Sequence, residues 1–375
     1  MSFVIAEIGT SHQGSIEKAK QLVDCAAEAG ADAVKFQWVY AREILHPKTG
    51  FVTLPAGNVP LYQRFEELEC SVDFYRAMLD YAHQKKVKFI CSPFGLQSLQ
   101  ELLSIGPDAV KIASPELNHY PMLKALADFR KKQKEAGGKM VDVIVSSGVS
   151  TLSDIEKALD ILGKEGVTLL HCITSYPAPE EEYNLSLIKN LSSIFGVPCG
   201  VSDHSLDPVL VPSLSVALGG TMIEKHITIS RRTSGLDDPV ALEGEQFALM
   251  VHCVHQTKSC MNRYGIEKGL QVAISQLSES YGYQKVMDCI GNGKKTLAPA
   301  EKANYGRTNR SLHYMKSLKK GHKVCESDVS VLRTEKVLSV GIGPEFLDYV
   351  EGAVLSKDVE DGDGVQFHDF FVREE

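Results

Sequence analysis

What the sequence lacks narrows its function before any motif is read. Positive charge is not in excess: 40 lysines and arginines stand against 48 aspartates and glutamates, a formal net charge of −8. That leaves no basic footprint for nucleic acid, and no lysine or arginine run is long enough to suggest a membrane surface. Paired cysteines are missing as well. The nine cysteines (25, 70, 91, 172, 199, 253, 260, 289 and 325) are scattered without a Cys-x-x-Cys spacing, and several sit inside apolar runs as small hydrophobes, a usage that fits a reducing compartment. No apolar stretch approaches the roughly 20 residues that span a bilayer. The run Phe3-Val4-Ile5-Ala6 begins at once, with no basic leader and no small-residue cleavage site before it. The expectation is an uncleaved cytoplasmic protein that works on small molecules.

A chain of 375 residues, 43% hydrophobic and 23% charged, suits one large domain with a small one. Short β-rich runs occur at residues 3–9, 31–37, 86–92, 109–114, 141–148, 167–173, 198–204 and 221–228. Near-continuous apolarity in such short segments marks parallel strands covered on both faces. Helical patterns fill the gaps. From Ser15 to Ala29, Ile16, Ala19, Val23, Ala26 and Ala27 share one stripe and Gly30 follows as a stop, while Thr151 to Asp154 resembles a capping start for a helix running to Leu162. Eight such alternations in about 260 residues predict an α/β fold of the (β/α)8 TIM-barrel type over residues 1–264. The connection from Trp38 to Cys70 is unusually long and broken by Pro47, Gly50, Pro55, Gly57 and Pro60, so it reads as a covering lid. Ala241 to Tyr264 reads as the closing helix, and residues 265–309 as a polar linker with partial helical character. In the tail, residues 310–375, the segments Lys316–Val324 and Lys357–Val365 share the frame Lys-x-aliphatic-x-x-Gly-x-x-Val, which predicts a small β-rich module with internal pseudo-symmetry.

In a barrel, polar side chains at the C-terminal ends of strands read as catalytic. Here Glu7, Lys35 with Gln37, Ser92, Lys111 with Ser114 and Glu116, Ser146 with Ser147, Thr174 with Tyr176, Asp203 with His204, and Glu224 with His226 all fall at such ends. His204 and His226 close successive strands and would meet at one mouth, where two imidazoles with carboxylates nearby suit Mn, Zn, Co or Fe better than Ca. Satisfied core histidines are the bland alternative. Lys35 and Lys111 lie in apolar strands, and burying an unpaired ammonium costs several kcal/mol. Their partners are Glu7 and Glu116 or an anionic substrate, and the serines at 92, 114, 146 and 147 favour an anion pocket. A Schiff base on Lys111 or Lys35, as in a class I aldolase, is a further possibility. His12 lines the site or structures its loop, and His171 reads as core.

Taken in order, Ala6-Glu-Ile-Gly, Ala33-Val-Lys-Phe-Gln37, Ser92-Pro-Phe, Lys111-Ile-Ala-Ser-Pro-Glu116, His171-Cys with Tyr176-Pro, Gly200-Val-Ser-Asp-His204 and Ile223-Glu-Lys-His-Ile-Thr228 resemble the sialic acid synthase family, which includes neuraminate, legionaminate, pseudaminate and spore-coat polysaccharide branches. From Asn309-Arg-Ser-Leu onward the tail resembles that family's antifreeze-like (SAF) domain. The resemblance implies condensation of phosphoenolpyruvate with an N-acetylated mannosamine-type or 2,4-diacetamido sugar, with release of phosphate. It implies Mn2+, with Mg2+ or Co2+ as alternatives, on His204 and His226. It places phosphoenolpyruvate on Lys35, Ser92, Lys111, Ser114 and Ser146, with Gln37, Thr174, Tyr176 and Asp237 among the substrate contacts. Glu7 and Glu116 are left for sugar hydroxyls and water, with Glu116 as base or electrostatic partner. It further implies a homodimer in which Arg310 reaches the neighbouring subunit's sugar site. Ser11-His12-Gln13 and Thr174 depart from the neuraminate pattern, so the sugar is less fixed than the reaction. The competing expectations are an imine-forming aldolase or lyase on the same barrel and a non-catalytic carbohydrate-binding protein.

Overall fold

The computed structural model describes residues 2–54, 57–233, 235–335 and 337–371. Eight parallel strands form the centre: β1 (Phe3–Gly9), β2 (Ala33–Trp38), β3 (Lys88–Pro93), β4 (Ala109–Ile112), β5 (Asp142–Ser146), β6 (Val167–Cys172), β7 (Cys199–Asp203) and β8 (Met222–Thr228). Each pairs with the next in sequence order, and β1 pairs back onto β8 from Phe3↔Met222 to Glu7↔His226, which closes the barrel. The expected TIM barrel is the observed architecture. Its outward faces (Val4, Val34, Phe89, Val110, Val143, Leu169, Val201, Ile223) bury against the surrounding helices in one continuous core. This two-sided burial is why the strands read as unbroken apolar runs.

Local signals act where they are read. Ser15 caps the helix Ile16–Glu28 by accepting from Lys18 N, and Thr151 and Asp154 cap each other at the helix Leu152–Leu162. The expected linker differs from expectation. Residues 266–281 and 283–290 form two helices whose Leu277, Val286, Cys289 and Ile290 belong to the barrel's own core, so only the stretch after Gly291 is a connector. Their apolar residues are few and set among polar ones, which hides a helical stripe as narrow as this.

The long connection after β2 contains a short helix (Ala41–Ile44), a 3-10 turn (Pro47–Thr49), a hairpin of Phe51–Leu54 with Gly57–Pro60, and a helix (Leu61–Glu66). From Arg310 onward a second cluster of buried residues, among them Leu312, Tyr314, Leu318, Val324, Val359 and Val365, packs around β9 (Arg310–Tyr314) and its antiparallel partner β10 (Val329–Arg333). The internal repeat is structural. Leu318 and Val359, the aliphatic positions of the two frames, bridge each other; Gly321 and Gly362 both adopt positive φ; Val324 and Val365 are both buried. Beyond each frame a 3-10 turn is tied by the same contact, Cys325 N to Asp328 and Gln366 N to Asp369.

Candidate active site

The strand ends surround a cavity of about 440 Å3. The pleat dictates what lines it, because side chains two apart share a face. Ile5, Ala33, Ile90, Ala109, Ile144 and Leu170 form an apolar floor inside the barrel. Two positions later on the same strands come Glu7, Lys35, Ser92, Lys111, Ser146 and Cys172, all in the cavity wall, and Ser202, Glu224 and His226 continue the ring from β7 and β8.

Lys35 is held by three groups. Its Nζ lies 3.0 Å from Glu7 Oε2, 3.2 Å from Ser92 Oγ and 3.7 Å from Glu224 Oε1. Burial works against its charge, but Glu224 and Glu7 outweigh burial and its pKa is raised. Lys111 has less. Its carboxylate neighbour within 4 Å among the described residues is Glu224, with Oε1 at 3.5 Å, and there burial prevails and lowers the pKa. Glu224, resisting burial through Lys111 and Lys35, is held down at about 2 and accepts from Ser202 Oγ at 2.9 Å. Gln37 donates to Glu7 Oε1 at 2.8 Å, and Ser114 Oγ accepts from Gly148 N at 3.0 Å. Ser146 Oγ, Thr174 Oγ1, Glu224 Oε2 and His226 Nδ1 are buried without a hydrogen-bond partner, and all four residues line the cavity. Buried polar atoms left in this state are groups that a ligand can satisfy.

The two imidazoles do meet, with ring centroids 5.6 Å apart. His204 Nδ1 faces the Ile173 carbonyl at 2.8 Å, which fixes the ring and leaves Nε2 as the ring nitrogen open to another partner. Burial disfavours a charge on His204 but the Cys172 thiol beside it raises its pKa, whereas burial pushes His226 down to about 4. Tyr176 stacks on His204 with centroids 4.1 Å apart, and Asp237 Oδ2 stands 3.8 Å from His226 Nδ1. Asp203, by contrast, points away from the cavity: it pairs with Lys225 at 2.6 Å and accepts from Tyr183 Oη at 2.8 Å.

The geometry places two expected site residues outside the cavity lining. Glu116 is fully buried behind the cavity wall, where Arg310 and Arg333 both clasp its carboxylate. Burial opposes its charge, yet the two guanidiniums hold its pKa below the ordinary carboxylate range, which is the opposite of what a general base requires. Arg310 is held inside its own chain as well. Besides Glu116 it donates to the carbonyls of Glu43 and Phe94, all within its own chain, and its side chain is fully enclosed. The pair is a structural clasp between barrel and tail. His12 proves to be a loop-structuring residue, its ring 4.7 Å from that of Phe74 and its Nδ1 accepting from Gly14 N. His171 is core, with Nε2 bound to the Tyr183 carbonyl.

Sequence reasoning named Glu224 with His226, two positions before it and so on the same face, but left Arg333, Asn304 and Glu301 unassigned. None of the three had a local signal; Arg333 and Asn304 line the cavity, and Glu301 lies outside its lining. Arg333 lines the cavity from β10 with its guanidinium 5.3 Å over the Phe94 ring. Glu301, in the connector, accepts from the backbone N–H groups of Val149 and Thr174 at 3.0 and 2.9 Å, fixing two strand-end loops from more than 120 positions away.

The sequence profile of the NeuB family matches residues 22–265. The chain is 30% identical over 378 residues to the spore coat polysaccharide biosynthesis protein SpsE of Bacillus subtilis, covering 99% of this chain and 94% of that one. It is 30% identical over 355 residues to the N,N'-diacetyllegionaminic acid synthase of Campylobacter jejuni, covering 92% and 94% of the two chains. The crystal structure of Bacillus subtilis SpsE superposes with a TM-score of 0.78 at 29% identity, over 100% of this chain and 96% of that one. Among the described residues no helix is long and apolar enough to cross a membrane. The resemblance to sialic acid synthases is borne out: the chain belongs to the NeuB family and is a carbon–carbon bond-forming synthase.

Proposed function

We propose that the enzyme condenses phosphoenolpyruvate with an N-acetylated amino sugar, of the N-acetylmannosamine or 2,4-diacetamido-hexose kind, to give a nonulosonic acid and inorganic phosphate. The observation that carries this reading is the asymmetric lysine pair: Lys111 brings a buried positive charge that its own surroundings leave underpartnered, beside the free hydroxyl of Ser146. A phosphate or carboxylate supplies the missing anion, and Lys35, Ser92 and Ser114 complete its contacts.

The residues also fit a divalent ion. His204 and His226, whose ring centroids lie 5.6 Å apart with His226 Nδ1 buried and without a hydrogen-bond partner, would be its protein ligands, and since no cluster of three His, Cys, Asp or Glu stands among the described residues, substrate or water would supply the others. When bound, the ion, Mn2+ in this reading, supplies Lewis acidity toward an aldehyde oxygen. The protein's part is placement. Tyr176 stacks behind His204, Asp237 and Thr174 face the acceptor, and Gln37 keeps Glu7 aimed at a sugar hydroxyl or the incoming water. The role first expected of Glu116 passes to Glu7, which lies in the cavity. The enol carbon attacks the acceptor aldehyde, water adds to the resulting cationic carbon, and collapse of the tetrahedral adduct breaks its carbon–oxygen bond and releases phosphate, leaving on Lys35 and Lys111.

In this reading the tail from Arg310 is the SAF module, and the enzyme works in the cytoplasm as a homodimer. The test is incubation with phosphoenolpyruvate, Mn2+ and a panel of 2-acetamido and 2,4-diacetamido hexoses, with mass spectrometry of the products. Acceptor-dependent phosphate release with a nine-carbon acid is expected. The lowered pKa of Lys111 also suits an imine-forming amine. Borohydride trapping of a keto acid on Lys111 would establish that aldolase chemistry and end the synthase reading.

A further inference from the structure

The repeat in the tail contains an asymmetry that the reaction does not explain. Its first copy has Lys320 before the turn glycine Gly321, whereas the second has Asp361 before Gly362. The second copy meets the long connection after β2. Asp361 Oδ1 lies 3.0 Å from His46 Nε2, its Oδ2 lies 2.9 Å from Lys48 Nζ, and its carbonyl accepts from the same Lys48 Nζ at 3.1 Å. His46 is buried, and its Nδ1 already accepts from Lys48 N at 3.1 Å, so Nε2–H is the atom left for Asp361. The approach is close enough to need the glycine: a Cβ on Gly362, at φ +95°, would stand 3.2 Å from His46 Nδ1.

The contact has a route to the cavity. His46 follows Ile44 and Leu45, which form a small buried cluster with Val39, Leu61 and Phe94. Of these, Val39, Ile44, Leu61 and Phe94 line the cavity. Leu45 also bridges Arg333 of β10, and Arg310 holds the Glu43 carbonyl, so this stretch is pinned to the tail at three successive points.

We propose that Asp361 is a positioning residue for the acceptor sugar: through His46 and Lys48 it clamps the covering segment that gives the cavity its apolar side (Val39, Ile44, Leu61), while the ring of charged strand-end residues that binds the anion is built independently of it. The acceptor assignment rests on the synthase reading; the clamp does not.

Two variants and two measurements test it. Asp361→Ala removes the carboxylate that meets His46 and Lys48, leaving only the backbone carbonyl to Lys48, and Asp361→Asn keeps an oxygen for His46 Nε2–H. For Asp361→Ala the expected result is an acceptor KM raised about tenfold, with kcat and the KM for phosphoenolpyruvate each within about twofold of the parent protein. Hydrogen exchange should quicken across residues 41–50 and not in the barrel strands. Asp361→Asn should recover most of both effects. Unchanged exchange across 41–50, or a fall in kcat with acceptor KM untouched, overturns the clamp. If the parent protein releases no phosphate with any acceptor, the synthase reading fails, and the exchange result alone then upholds or overturns the clamp.

Discussion

The segments Ala33-Val-Lys35 and Ala109-Val-Lys111 are the same tripeptide, on the barrel strands β2 and β4 that flank β3, yet they build different environments. Lys35 faces Glu7 on β1 and Ser92 on β3, and shares Glu224 across the cavity. Lys111 has Ala113 and Ser114 beyond it, Ser146 beside it, and a share of Glu224 at 3.5 Å. Identical local sequence thus yields one lysine well partnered by the protein and one left with a single, more distant carboxylate. What differs is the neighbouring strand, and a buried charge reports its neighbours through its pKa, raised for Lys35 and lowered for Lys111.

Substituting each lysine by methionine separates the roles. Lys35→Met strands Glu7 without its cation, and breaking a buried pair on one side costs roughly 3–5 kcal/mol. The expected outcome is a large loss of stability, read as a lowered denaturant midpoint. Lys111→Met should cost little stability, because an underpaired charge is exchanged for an apolar side chain of similar length. It should instead lower kcat/KM for phosphoenolpyruvate by about a hundredfold, close to 3 kcal/mol. Equal losses of stability in the two variants would erase the distinction.

Glu116 extends the contrast to a carboxylate. It was expected at the cavity with Glu7, since Lys111-Ile-Ala-Ser-Pro-Glu116 puts it close to a strand end. In fact β4 stops at Ile112, and Ser114–Glu116 forms a 3-10 turn that carries the carboxylate behind the wall to Arg310 and Arg333. Glu116→Gln keeps the shape but weakens two charge-assisted contacts, so a stability loss of about 2 kcal/mol is expected, larger in effect than any change in kcat. A selective loss of turnover with unchanged stability would return Glu116 to the chemistry.

These cases show where the sequence is legible. Strand order, barrel closure and the inward parity of Glu7, Lys35, Lys111, Glu224 and His226 follow from period-two alternation, which is local. The tail's symmetry was legible for the same reason, since its frame spans nine positions. Glu116, Arg310, Arg333, Glu301 and Asp361 were not, because each acts through a partner far along the chain and no local period encodes a clasp between barrel and tail. The helices at 266–281 and 283–290 were half-legible: their residues suit helices, but their burial depends on the barrel they pack against.

The smallest expected effect tests the comparison most directly. Burial lowers the pKa of Lys111, so on raising the pH it sheds its proton before an ordinary lysine does, while Lys35 stays charged because its pKa is raised. Sulfate is a suitable probe because its own charge is constant over this range. Its affinity for the cavity, read by calorimetry from pH 7.5 upward, should fall by about tenfold, or about 1.4 kcal/mol, at a pH below the usual lysine value. Stability moves the other way. With the folded pKa below the unfolded one, the unfolded chain holds more protons in that window, so the contribution of Lys111 to stability rises with pH as its anion affinity falls. Lys111→Arg, which does not titrate there, should flatten both trends, whereas Lys35→Arg should leave them in place. A sulfate affinity that follows Lys35→Arg instead would mean that the two lysines had been assigned the wrong way round.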